Sequence, residues 1–299
     1  MLRRAFPGAT KAPPTFGGRQ VWTDRRLRHG YRVQVHAWLR GVHRLLDPED
    51  RLLAVGTDTA VLGAFERVAP TADRIGPPCV VAFHGLGRSR GSFAALAQRL
   101  ASVELVGLDY ASAWASPAEH GRLLAEALAA LEPRARIDLV AFSMGALVAR
   151  YALDRLARMA PERLASVGRL VMIAPPNRGA ALADALHRLA PFGLAPPVVR
   201  GLSALGAGAV PPPRVPTVVI AGDGGPRFRG WWSEPNDGLI RVSDTFVAEM
   251  DAHFLVSGAA HFFMLNQPQV LDLAAGLLAG DRSPAARRAS IRRRSRKRM

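Results

Sequence analysis

The chain has 299 residues, 49% of them hydrophobic and 21% charged, which suits one α/β domain with extensions and a substantial core. No run of about 18 apolar residues is free of charges and breakers, and no apolar stretch of roughly 7–15 residues follows the basic start. A membrane-spanning helix and a secretory signal are therefore not expected, which points to a cytoplasmic protein, at most peripheral at a membrane. The net charge is +16, and the single cysteine, Cys79, excludes an internal disulfide.

Residues 1–20 are rich in Gly, Pro and Arg and are expected to be disordered. Residues 21–74 form an N-terminal extension. Within it, Tyr31 to Trp38 alternates with period two, as a strand does. Leu45 to Leu53 reads as a hairpin around the turn Asp47-Pro48, and Thr57 to Ala69 has helical spacing.

From Cys79 the rhythm becomes strand, helix, strand, helix. Short apolar runs predict strands at 79–84, 103–109, 137–142, 169–174, 217–222 and 253–257. They lack alternation, as expected of central parallel strands buried on both faces. Helices are predicted at 91–100, 117–131, 145–159 and 268–279. The expectation is an α/β fold over residues 75–280: a doubly wound, mostly parallel sheet flanked by helices. Cys79 falls in the first of these strands and is expected to be a core residue. Residues 178–214 break the rhythm with Pro and Gly and read as a small helical lid over an apolar pocket. Residues 281–299 hold nine Arg or Lys and one Asp, a basic tail expected to be disordered.

The strongest chemical signal is Ala141-Phe142-Ser143-Met144-Gly145, a variant of G-x-S-x-G. A buried strand ends at Phe142 and a helical pattern starts at Gly145. A serine on so sharp a turn points its hydroxyl into the cleft above the strand ends, and crowding requires small residues on either side. The helix that follows aims its N-terminal N–H groups at the same place. Ser143 is thus the candidate nucleophile. Acyl transfer also needs two N–H donors for the oxyanion. One comes from the residue after the nucleophile, Met144. The other comes from the loop after an earlier strand, where Leu86 follows His84-Gly85. His84 precedes the serine and is expected to be structural.

In this arrangement the acid and the base follow the serine in that order. Three histidines remain after Ser143: His187 in the lid, His253 at the start of a strand, and His261 in a loop beyond the last strand. His261 is the candidate base. For the acid, position alone leaves Asp223, directly after the strand Val218–Gly222, and Asp237 as rivals.

These residues resemble those of the lipase-like α/β-hydrolase superfamily, with bacterial members related to lipases and inositol-deacylase (PGAP-type) hydrolases the nearest in pattern. The matching pieces are His84-Gly85-Leu86-Gly87, the Ser143 segment, Ala174-Pro175-Pro176-Asn177-Arg178-Gly179-Ala180, Pro235-Asn236-Asp237-Gly238-Leu239-Ile240 and Gly258-Ala259-Ala260-His261. Small bacterial lipases share the A-x-S-x-G form. The resemblance implies that the acid is Asp237, which stands in an N-D-G-x segment, with Asp223 the alternative. Ala180 departs from the Ser or Thr usual at its position, which puts one loop hydrogen bond in doubt. Residues 1–74 have no such counterpart.

The implied chemistry is ester hydrolysis through a Ser-Asp-His triad and an acyl-enzyme. The substrate is expected to be a small acyl ester, apolar or lipid in character, favoured by the apolar lid and by Trp231-Trp232. An acyltransferase or a thioesterase would use the same residues. No metal ligands with characteristic spacing occur, and no cofactor is expected. A second class of reading is a binding protein whose basic tail contacts an anionic membrane or nucleic acid. That tail contains no interleaved aromatic residue, and no specific protein partner is indicated.

Overall fold

The structure is a computed structural model that describes residues 20–71, 74–100, 102–189, 196–226 and 233–279. The N-terminal segment to residue 19, Trp231-Trp232 and the basic tail lie outside the described residues.

The chain opens with β1 (Trp22–Arg28), β2 (Tyr31–His36), β3 (His43–Leu46) and β4 (Leu52–Gly56). They form an antiparallel sheet in that order. The extension is thus a complete four-stranded sheet, larger than the strand and hairpin expected. Sequence reasoning passed over β1 because Asp24, Arg25, Arg26 and Arg28 interrupt its apolar pattern. Helix α1 (Asp58–Val68) covers one face, packing Val61, Ala64 and Phe65 against Val33 and Leu45.

The main body follows: β5 (Cys79–Phe83), α2 (Ala94–Leu100), β6 (Glu104–Leu108), α3 (Pro117–Ala130), β7 (Ile137–Phe142), α4 (Met144–Met159), α5 (Pro161–Leu164) and β8 (Val167–Ile173). After these come α6 (Ala181–Leu189), α7 (Pro197–Leu202), α8 (Ala204–Gly208), β9 (Thr217–Gly222), β10 (Ala252–Val256) and α9 (Pro268–Leu278). All six strands predicted from apolar runs are present. The helix expected at 91–100 begins instead as a 3₁₀ turn at Arg90–Phe93. The six strands pair in parallel in the order β10-β9-β8-β7-β5-β6.

The apolar runs lack alternation because each strand feeds two cores. On β5 and β7, Val81, Phe83, Leu139 and Ala141 face the core shared with α3 and α4. Val80, Ala82, Val140 and Phe142 face the core shared with α2 and α9. Cys79 is buried in the core shared with α3 and α4, and burial pushes its thiol up to about 11. The chain leaves β5 toward β6 and then returns to build β7 on the other side of β5. The carboxyl ends of β5 and β7 therefore flank the point where strand order reverses, where ligands of open parallel sheets bind.

Two further features bear on the site. The segment expected as a lid carries α6, α7 and α8, docked through Val198, Leu202 and Val210 onto the core of α3 and α4. The small sheet is fastened to β6 through Asp24, which is fully buried. Its carboxylate accepts from Arg32 Nη1 at 2.7 Å, Gln34 Nε2 at 2.8 Å and Asp109 N at 2.8 Å. Its own N–H donates to Asp109 O at 2.9 Å. No described helix is long and apolar enough to cross a membrane.

Candidate active site

Ser143 sits between the end of β7 and the start of α4 with φ 54° and ψ −126°. Positive φ is costly for a residue with a Cβ, on the order of 1–3 kcal/mol, and such strain persists only where the surroundings enforce it. Here the Ser143 N–H donates to Ile173 O at 2.8 Å, and its C=O accepts from Ala146 N at 3.0 Å. Gly145 explains the small-residue requirement. A Cβ there would lie 2.3 Å from Phe83 O and 2.5 Å from His84 O, against the backbone of the neighbouring strand.

The turn brings Ser143 Oγ within 3.0 Å of His261 Nε2. His261 opens a 3₁₀ turn, His261–Asn266, just beyond β10. Its Nδ1 lies 2.7 Å from Asp237 Oδ2. Asp237 is buried, and its other oxygen, Oδ1, accepts from Leu239 N at 2.9 Å and Ile240 N at 2.7 Å. The two segments are also joined by backbone, His261 N donating to Asp237 O at 2.7 Å. A carboxylate can only accept, so His261 carries its proton on Nδ1 and leaves Nε2 free to accept from the Ser143 hydroxyl. The Phe142 ring lies beside the imidazole, 5.0 Å between centroids.

Asp223 is placed elsewhere: its Oδ1 accepts from Gly258 N at 2.8 Å, bracing the turn ahead of His261. His253 lies on β10, bonded to Thr245 Oγ1 at 2.8 Å and stacked on Phe246. His187 lies on α6. Thus Ser143, His261 and Asp237 are brought together, and Asp223, His187 and His253 are not in that chain of bonds.

Met144 is the first residue of α4, and the first N–H groups of a helix have no acceptor inside it. The Leu86 loop runs from the end of β5, next to β7, as a turn closed by Arg88 N donating to Gly85 O at 3.2 Å. Three groups hold that loop, and sequence reasoning missed all of them. Gly87 N donates to Ser112 Oγ at 2.9 Å. Gln20 Nε2 donates to Gly87 O at 2.7 Å. Arg88 Nη2 donates to Phe262 O at 2.9 Å, tying the loop to the residue after His261. None of these residues carries a motif, so only the folded chain reveals them.

His84 is fully buried and stacks on Tyr110. Its Nδ1 is 2.8 Å from Gly85 O, and its Nε2 accepts from Tyr110 N at 3.3 Å. Those partners require a neutral ring, and burial holds it below the ordinary histidine range. Tyr110 O–H in turn donates to His84 O. Asn177 Oδ1 accepts from the buried Arg150 Nη1 at 3.0 Å, while its Nδ2 donates to Thr245 O at 2.8 Å. At the departing Ala180, the backbone N–H donates to Leu202 O at 2.9 Å. Among the described residues no group of three or more His, Cys, Asp and Glu side chains is placed to hold a metal ion.

Residues 61–208, just under half of the chain, match the family described as a domain of unknown function, DUF7379. No curated protein matches the chain. Among solved structures, the mature form of the Bacillus licheniformis lipase BlEst2 is similar, with TM-score 0.54 and 17% identity over 70% of this chain and 95% of that one. The propeptide form of the same lipase gives TM-score 0.50 and 16% identity over 70% of this chain and 52% of that one. At these identities the likeness is one of fold. With its parallel six-stranded sheet flanked by helices, the chain has the α/β-hydrolase fold.

Proposed function

We propose that the chain is a serine hydrolase that cleaves carboxylic esters of apolar or lipid acyl groups. The observation that carries this reading is the continuous chain from Ser143 Oγ through His261 to the doubly capped Asp237, with distances of 3.0 and 2.7 Å. His261 Nε2 takes the Ser143 proton as Oγ attacks the acyl carbonyl. Asp237 holds the tautomer and stabilises the imidazolium. The N–H groups of Leu86 and Met144 receive the oxyanion, aided by the positive end of the 16-residue α4. His261 then protonates the leaving alcohol, and water, activated the same way, releases the acyl group. At this strained φ the Ser143 side chain makes no cap bond to its own helix, and its Oγ faces His261 Nε2.

In this reading the 178–214 segment acts as a lid. The narrower kinship with inositol-deacylase (PGAP-type) hydrolases rests on the sequence motifs. Acyl transfer to an alcohol and thioester cleavage use the same residues. The likeness of fold to a lipase supports an ester as substrate.

Labelling by a fluorophosphonate probe tests the nucleophile: wild type should label and Ser143→Ala should not. Equal labelling of the two would remove the proposal. A p-nitrophenyl ester series of increasing chain length then places the acyl preference, which should favour medium or long chains if the site is apolar.

A further inference from the structure

Monomeric proteins rarely gather exposed large apolar side chains in one place. Here six surround the mouth of the site. Leu86 carries one of the two proposed oxyanion donors and is 45% exposed. Phe262 and Phe263 follow His261 directly and are 64% and 68% exposed. Trp114 lies in the loop beyond β6, and Trp38 and Leu39 lie at the tip of the β2–β3 hairpin; all three are about half exposed.

The segments are joined into one rim. Arg88 Nη2 on Phe262 O links the His261 loop to the Leu86 loop. Gly87 N on Ser112 Oγ links the Leu86 loop to the Trp114 loop. Trp114 meets Trp38 edge to face, 4.4 Å between ring centroids. The hairpin tip is itself shaped: His36 Nδ1 accepts from both Trp38 N and Leu39 N, at 3.1 and 3.0 Å. A hydrophobic tip built this way, with its side chains turned outward, is not a fold requirement.

The charge on this rim is of one sign. Residues 36–41, 85–90, 111–115 and 258–267 contain Arg40, Arg88 and Arg90 and no Asp or Glu. Arg90 is paired with Asp50 and Asp109, whereas Arg40 is exposed and Arg88 meets a carbonyl and the Phe142 ring. The next carboxylate along the Trp114 loop, Glu119, is engaged by Ser116 at the start of α3. Aromatic rings with arginines and no carboxylates suit the headgroup region of an anionic bilayer, where rings enter the interface and cations meet phosphates.

We propose that this rim docks the protein on an anionic lipid surface, with the Ser143 cleft facing the bilayer. That the docked site then cleaves acyl lipid rests on the hydrolase reading; adsorption does not. The positive charge of the tail at 281–299 is a separate feature, and the rim is the part that sets orientation.

The test uses the full-length Ser143→Ala chain, so that vesicles stay intact, in co-sedimentation with phosphatidylcholine vesicles with and without phosphatidylglycerol. Retention should be strong only with the anionic lipid and should fall as salt rises. Trp38→Ser/Leu39→Ser should weaken it by about tenfold or more, the scale of burying large apolar side chains. Arg40→Ser should weaken it about fivefold, as one interfacial arginine does. Phe263→Ser, on a separate segment, repeats the test should the hairpin variant fail to fold. Removing three of the tail's nine positive charges with Arg292→Ser/Arg293→Ser/Arg294→Ser should leave the dependence on Trp38 and Phe263 intact. Equal retention of wild-type and rim variants, or retention by the tail alone, overturns the proposal. Fluorophosphonate labelling of the wild type is scored separately: labelling without vesicle binding removes the rim, and binding without labelling removes the hydrolase.

Discussion

Asp237→Asn isolates the acid without changing the size of the side chain. In the native site Asp237 Oδ1 accepts from Leu239 N and Ile240 N, and Oδ2 faces His261 Nδ1. Two backbone donors fix which end of an asparagine faces which way. The amide oxygen must stay with Leu239 and Ile240, so the amide NH₂ points at His261. Nδ1 then has to accept, and the histidine proton moves to Nε2. There it faces Ser143 Oγ across 3.0 Å as a donor and can no longer take the hydroxyl proton. A wrong tautomer of this kind costs about 10⁴ in kcat, roughly 5.5 kcal/mol of transition-state stabilisation. Asp223→Asn is the matched control. Asp223 accepts from Gly258 N, a bond an amide oxygen can keep, so its kcat/KM should stay within about threefold, below 1 kcal/mol. Steady-state turnover of a p-nitrophenyl ester measures both. A large loss in Asp223→Asn with activity retained in Asp237→Asn would refute the assignment of the acid and the tautomer argument with it.

Gly145→Ala should cost about 2–3 kcal/mol of stability and most of the activity, because its Cβ would meet the Phe83 and His84 carbonyls; thermal unfolding with and without probe labelling measures the two. Ser112→Ala removes the acceptor of Gly87 N, and loosening the Leu86 donor should lower kcat about tenfold with KM little changed. Unchanged kcat would mean that the loop holds its shape without Ser112. Stability should fall in acid. His120 is buried beside the Tyr110 ring and titrates at about 4 because burial disfavours its charged form. Unfolded, it takes a proton near 6.5, so below that pH the unfolded chain binds a proton that the native chain does not. The loss begins near pH 6.5 and is complete near pH 4, about 3 kcal/mol at 1.36 kcal/mol per pH unit. His120→Gln, followed by urea unfolding across that range, should flatten the slope.

The parallel sheet was legible because strands buried on both faces cannot hide: Val80 and Val81 serve different cores, so the whole run must be apolar. Ser143 was legible because a strained turn between such a strand and a helix limits its neighbours to small residues. The acid was not readable from the residues alone. Asp223 and Asp237 both follow β9, and the choice depends on which loop folds back to pair its backbone with His261, a contact between segments 24 residues apart. The motif resemblance named Asp237, whose Oδ2 lies 2.7 Å from His261 Nδ1. The first sheet was only partly legible. β1 carries its fold information in Asp24, whose burial makes sense only once Arg32, Gln34 and the Asp109 N–H surround it.

That sheet matters more to the site than its lack of motifs suggests. Asp24 N–H grips Asp109 O, and Thr23 Oγ1 accepts from Ala111 N at 3.1 Å, so β1 runs on beside the chain leaving β6. The next residue, Ser112, holds Gly87, and Gln20 just ahead of β1 holds Gly87 from its carbonyl side. Gly87 needs its φ of +68° to let the loop turn, and Leu86, the proposed oxyanion donor, stands beside it. The strand ends carry Ser143 and His261, the proposed nucleophile and base, but the loop of the proposed donor Leu86 is positioned from outside the main sheet. In the proposed mechanism, these bonds are the route by which residues 20–36 act on the Leu86 donor. The same contacts set Trp38 beside Trp114, so one set of bonds serves both the oxyanion loop and the apolar rim.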